Sequence, residues 1–148
     1  MRPLIDAYFA AVYRVRSTPA RDIAFSRSPV AGLAAPTPFP DPWCIITAHN
    51  PDSRRLDDAE NEARDLALLN RLRAIGCEPV HTIASDRSGA WSEPGWLVTR
   101  TNRDLALSLA RAFGQRAVVY GHGGKTGLLI AATDQWLVRP LMLTDRGC

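Results

Sequence analysis

Lysine is nearly missing from this chain. Of its 18 basic residues only Lys125 is lysine, and the rest are arginine. Arginine's planar fork grips carboxylates and phosphates through two parallel bonds. Here the arginines are scattered among 15 acidic residues, and the longest basic run is Arg54-Arg55. A net charge of +3 without a basic stripe argues against a nucleic-acid partner. Cysteine is scarce and odd in number: Cys44, Cys77 and Cys148 include no close pair. That excludes a disulfide framework and fits a reducing cytoplasm, the location expected for the protein. No apolar run approaches the ~20 residues that span a bilayer, so no membrane partner is expected. The segment Met1 to Val12 carries Asp6 within its apolar run and fails as a signal peptide. No internal repeat is visible.

What remains is an ordinary globular composition. The chain has 148 residues, 46% hydrophobic and 22% charged, enough for one domain with its own core. We read it as a single domain over 1–148. An N-terminal helix and strands occupy 1–28, a proline-rich connector 29–42, an α+β core 43–132 and a C-terminal extension 133–148.

Leu4, Ile5, Tyr8, Phe9 and Val12 recur at helical spacing behind Pro3, which suits a first turn. Tyr13 to Arg16 and Asp22 to Ser26 read as short strands. Prolines at 29, 36, 38, 40 and 42 forbid a regular ladder there. The run Trp43 to Ala48 reads as a buried strand. Asp57 with Glu60 three residues on forms a capping box and starts a helix with Leu68, Leu72 and Ile75 in its buried stripe, flanked by Leu66 and Leu69. Gly76 stops it. Strands follow over Glu78 to Ser85 and Gly95 to Arg100, separated by a loop. Thr101 or Asn102 caps a second helix that Gly114 ends. Strands at Arg116 to Tyr120 and Leu128 to Ala132 flank the glycine-rich hairpin Gly121 to Gly127, and Gln135 to Leu143 offers one more strand.

The core order is strand, helix, strand, strand, helix, strand. It predicts an α+β fold of ferredoxin-like (split βαβ) type: an antiparallel sheet with two helices on one face, plus the N-terminal helix and extra C-terminal strands. In that topology the trailing end of the first core strand, the start of the first helix, the 86–94 loop and the end of the second helix share one rim. His49, Asn50, Asn61, Arg64, Trp91, Glu93 and Gln115 therefore converge from four separate segments. The helix N-terminus there suits an anion or carboxylate. Asn50, Asn61 and Gln115 would orient a ligand, and Arg64 would hold negative charge. Glu93, desolvated by Trp91 and an apolar strand, is the candidate catalytic residue for proton transfer.

The same residues have plainer readings. Asn50-Pro51 is also a turn, and Asn61 and Arg64 also fit a solvated helix face with a Glu60–Arg64 pair worth about 0.3 kcal/mol. Glu93 can cap a loop and Trp91 can cover the core. Gly124-Lys125-Thr126 fails as a phosphate loop, because Val119 stands where the motif needs glycine and a strand follows. Cys44, His49, Cys77 and His81 are too spread along strands to hold zinc, so no metal and no cofactor is expected. The central strands lack the aromatic rows that RNA-binding sheets use.

The pieces Thr47-Ala48-His49-Asn50-Pro51, Glu60-Asn61, Trp91-Ser92-Glu93 and Phe113-Gly114-Gln115, followed by Ala117-Val118-Val119-Tyr120, occur in this order. With Tyr8 and Tyr13-Arg14 ahead of them, the chain resembles an uncharacterised bacterial family, domain of unknown function 3293, over about residues 5–131. The resemblance implies no reaction. It singles out residues that the topology had already gathered. The function expected is a polar site at this rim for a small molecule or an anion, whether or not the protein is an enzyme. The alternatives are a non-enzymatic interaction module, self-associating or binding a partner, and, more weakly, nucleic-acid binding through the arginines.

Overall fold

A computed structural model describes residues 2–17, 20–25 and 39–144. Most of the 29–42 connector and Cys148 lie outside that range. The described elements are helix α1 (Arg2–Ala10), strands β1 (Val12–Val15), β2 (Arg21–Phe25) and β3 (Trp43–Ile46), helix α2 (Asp58–Ala74), strands β4 (Val80–Ser85) and β5 (Ser92–Thr99), helix α3 (Arg103–Ala112), and strands β6 (Ala117–His122), β7 (Lys125–Ile130), β8 (Trp136–Val138) and β9 (Leu141–Thr144).

Local chemistry explains most boundaries. Asp57 caps α2 by accepting from the Glu60 N–H at 2.8 Å, but the return bond from the Glu60 side chain does not form. Asn102 caps α3 by accepting from the Leu105 N–H. The glycine-rich segment turns tightly at Gly123-Gly124, both at positive φ, and joins β6 to β7 as a hairpin. In α2, Leu68 and Leu72 are fully buried, whereas Leu66 and Ile75 are exposed, so the buried stripe is narrower than the spacing predicts.

The expected ferredoxin-like, two-helix α+β fold is not what forms. All nine described strands join one antiparallel sheet in the order β8-β7-β6-β3-β5-β4-β1-β2-β9. Helix α1 packs over the sheet, but the other described terminal elements, β1, β2, β8 and β9, are not additions to a four-stranded sheet. They are strands that extend it on both sides. β8 and β9 lie on opposite edges, yet only Arg139 and Pro140 separate them in sequence. Nine strands laid flat would span about 38 Å at the usual strand spacing. The link from Val138 to Leu141 reaches at most about 11 Å. The sheet must therefore curl until its edges approach, and a flat sheet with one covered face cannot form from this connectivity.

Side-chain alternation sets what each face carries. Cys44, Ile46, Val98, Val118 and Leu129 pack with Leu68, Leu72, Ala106 and Leu109 of α2 and α3 on the outside. Ile45, Leu97, Val119, Leu128, Val15, Ile23 and Phe25 form a second cluster inside the curl, with Phe9 of α1. β3 is thus buried at all four positions. α1 touches both β2 and β7, strands near opposite ends of the sheet, so it lies in the mouth of the curl. Phe9 holds it there, edge-on to Phe25 at 5.0 Å and beneath the Arg139 guanidinium at 3.9 Å.

Candidate functional site

A cavity of about 290 Å³ lies between α1 and the inner face of the sheet. Its existence follows from residue size. Across β5, β4 and β1 the inner face carries Glu93, Ala84 and Tyr13 in one row, and Gly95, Thr82 and Val15 in the next. Small residues in the centre leave a gap that α1 roofs with Leu4, Ala7 and Tyr8. Gly95 is required there: a Cβ would stand 2.8 Å from the Ile46 carbonyl oxygen.

Five of the seven residues expected at the rim line this cavity: His49, Asn50, Trp91, Glu93 and Gln115. Asn61 and Arg64 do not, and each holds the cavity's loops from behind. Asn61 is 6% exposed; its Oδ1 accepts from the Asn50 N–H at 2.9 Å, and its Nδ2 donates to Asn50 Oδ1 at 3.0 Å. Arg64 donates from Nε to the Ala48 carbonyl at 2.8 Å and from Nη2 to the Phe113 carbonyl at 2.6 Å. It joins the end of β3 to the end of α3 and makes no ion pair with Glu60. Both residues are structural, but through these loop bonds and not as the solvated helix face with a Glu60–Arg64 pair. Gln115, also 6% exposed, shares the duty, because its Nε2 donates to the His49 and Phe113 carbonyls at 3.0 and 3.2 Å.

Glu93 sits within β5, opposite Ala84, and not in a loop as its sequence neighbours suggested. Its parity places it on the inner face with Gly95 and Leu97. Burial raises its pKa above the ordinary carboxylate value, against the opposing pull of hydrogen bonds from Thr47 and Asn50. Those bonds are slight. Asn50 Nδ2 is 3.5 Å from Oε2, and the single Thr47 hydroxyl proton also faces the Pro94 carbonyl at 2.9 Å. Trp91, 42% exposed, stands at the rim. The His49 ring feels Asp65, Asp58 and Glu62 of α2, and burial, the larger influence, lowers its pKa.

The sequence reading missed Tyr8, Tyr13, Thr47, Thr82 and Arg116 as lining residues. Tyr13 donates from its hydroxyl to the Tyr8 carbonyl at 3.0 Å, which ties α1 to β1. The Tyr8 hydroxyl is pushed up to about 12 by burial first, then by the Glu93 charge, against Arg116. It therefore stays protonated at neutral pH. The repeated aromatic at 8 and 13 was the available signal, but nothing local says that α1 faces the inside of a curl.

Residues 46–118 match the model of a family described as a protein of unknown function, DUF3293. No curated protein and no solved structure matches the chain.

Proposed function

With residues 46–118 carrying the DUF3293 domain, we propose that the cavity between this segment and α1 is a small-molecule binding site. The observation that carries the proposal is the convergence of Tyr8, Asn50, Glu93 and Gln115, from four separate segments, on one cavity whose lining is mainly apolar. A concave, mainly apolar pocket with a few converging polar groups is the usual form of a ligand site, and its volume lies near the low end of the ~300–1,000 Å³ range. The occupant is accordingly small.

The anion version of this reading loses the two supports that the sequence suggested for it. Arg64 uses its donors on two backbone carbonyls. The start of α2 is capped by Asp57 and carries Asp58 and Glu60 in its first turn. A second anion there meets like charge. Glu93 is the single carboxyl among the described lining residues, and with His49 it is a candidate group for proton transfer in the cavity.

A fluorine-labelled fragment library, screened by NMR against the wild-type chain and Ala84→Phe, tests the proposal. Ala84 lies on the cavity floor beside Glu93, and phenylalanine there fills the space. Fragments should bind the wild type, displace one another, and fail to bind the filled variant. Hits that bind both proteins equally would overturn the reading. Self-association is the second reading, favoured by the outer sides of β8 and β9, which pair with no strand among the described residues and expose Val138 and Met142. Sedimentation at rising protein concentration decides it.

A further inference from the structure

We infer that the occupant of the cavity is a small amine with an apolar body, its ammonium group held by Glu93. The inference rests on the binding-site reading above and adds the ligand's chemistry. Glu93 lines the cavity with only neutral donors near it, Asn50 Nδ2 at a long 3.5 Å and a Thr47 hydroxyl that the Pro94 carbonyl also claims. Among the described residues the ion pairs are Arg14–Asp22 and Arg111–Asp134, and Glu93 has no cationic partner. Arg64 is occupied by carbonyls. Arg116 also lines the cavity, but it is exposed and donates to the Asp52 carbonyl at 3.1 Å. A half-buried carboxylate without a counter-charge is costly unless something cationic arrives to pair with it.

The neighbouring polar groups point the same way. Gln115 uses its amide N–H groups on the His49 and Phe113 carbonyls, which leaves its Oε1 as an acceptor. Beside the Tyr8 hydroxyl and the Asn50 amide, the polar end of the cavity thus offers a carboxylate and an amide oxygen, two acceptors that a donor-bearing ligand satisfies. An ammonium brings three donors and the missing positive charge. The remaining walls, with Leu4, Ala7, Ile45 and Val119, suit an apolar body.

The test titrates benzylamine and benzyl alcohol, near-isosteres that differ in charge, into the full chain at neutral pH by NMR. Wild type and Glu93→Gln are compared, with the melting temperature of each confirming the fold. The amine should bind wild type about tenfold or more tighter than the alcohol, the range expected of a charge-assisted bond. The advantage of amine over alcohol should vanish in Glu93→Gln. Equal binding of both probes to wild type overturns the amine inference and leaves the cavity reading standing. An amine advantage that survives Glu93→Gln also overturns it. Failure of both probes, together with failure of the fragment screen, overturns both readings.

Discussion

Asn50 and Asn61 clasp each other: the Asn50 N–H donates to Asn61 Oδ1 at 2.9 Å, and Asn61 Nδ2 returns a bond to Asn50 Oδ1 at 3.0 Å. The same Asn50 Oδ1 accepts from the Leu56 N–H at 3.0 Å. Asn50 is held left-handed at φ 48, a conformation that asparagine tolerates better than most residues. The clasp fixes the loop between β3 and α2 and leaves Asn50 Nδ2 facing Glu93. Asn61→Ala strips a buried partner from both bonds. It should lower stability by about 1–3 kcal/mol in urea unfolding. A change within about 0.5 kcal/mol, the level of an ordinary surface substitution, would mean the clasp contributes nothing.

Arg64 joins two elements because its guanidinium reaches two carbonyls at once, from Ala48 and Phe113. Lysine carries its three donors on one nitrogen and lacks the planar fork that spans both carbonyls. Arg64→Lys should therefore destabilise by about 1.5–3 kcal/mol, the value of a bond to a charged group. Chemical denaturation measures it. Retention of full stability in the lysine variant would show that one carbonyl contact suffices.

Glu93 should make the fold weaker at neutral pH. Burial raises its folded pKa above the unfolded value of about 4.3. A raised carboxyl contributes its full stability below the unfolded pKa and loses it as the pH climbs through the folded pKa. Glutamine stays neutral and has no such loss. Glu93→Gln should therefore melt higher than wild type at pH 7, with the difference shrinking toward zero at pH 4. Identical melting curves across that range would show that the carboxyl is well solvated.

Gly114 packs against the loop that follows Asn50. It has φ +67, and a Cβ there would stand 2.7 Å from the Pro51 Cβ, while its carbonyl accepts from the Asp52 N–H at 2.7 Å. Gly114→Ala combines a left-handed cost of about 1–2 kcal/mol with a steric push on Pro51. We expect lower stability and amide shifts centred on residues 50–53. Shifts confined to the immediate neighbours of residue 114 would contradict that coupling.

Features that depend on neighbouring residues were legible. The Asp57 and Asn102 caps, the stops at Gly76 and Gly114, and the hairpin at Gly123-Gly124 all use bonds or dihedrals within a few residues. The gathering of Asn50, Glu93 and Gln115 followed from strand and helix directions, and these residues do share one cavity. Glu93 falls in the 86–94 stretch that the sequence reads as a loop, whereas the structure has it in β5. Its strand pairing comes from β4 and carries no local mark.

The amino-acid order alone settled the helix caps and stops and the glycine hairpin, since those choices rest on near neighbours. The curl, the roof made by α1 and the division of labour within the polar cluster were settled by distant pairings. β1 with β4, β2 with β9, and the two-residue link from β8 to β9 curl the sheet until its edges approach. Contacts between segments far apart in sequence leave no pattern of spacing. They are fixed by which apolar faces can be buried together, and it is that burial which encloses the cavity and leaves Asn61 and Arg64 behind its wall.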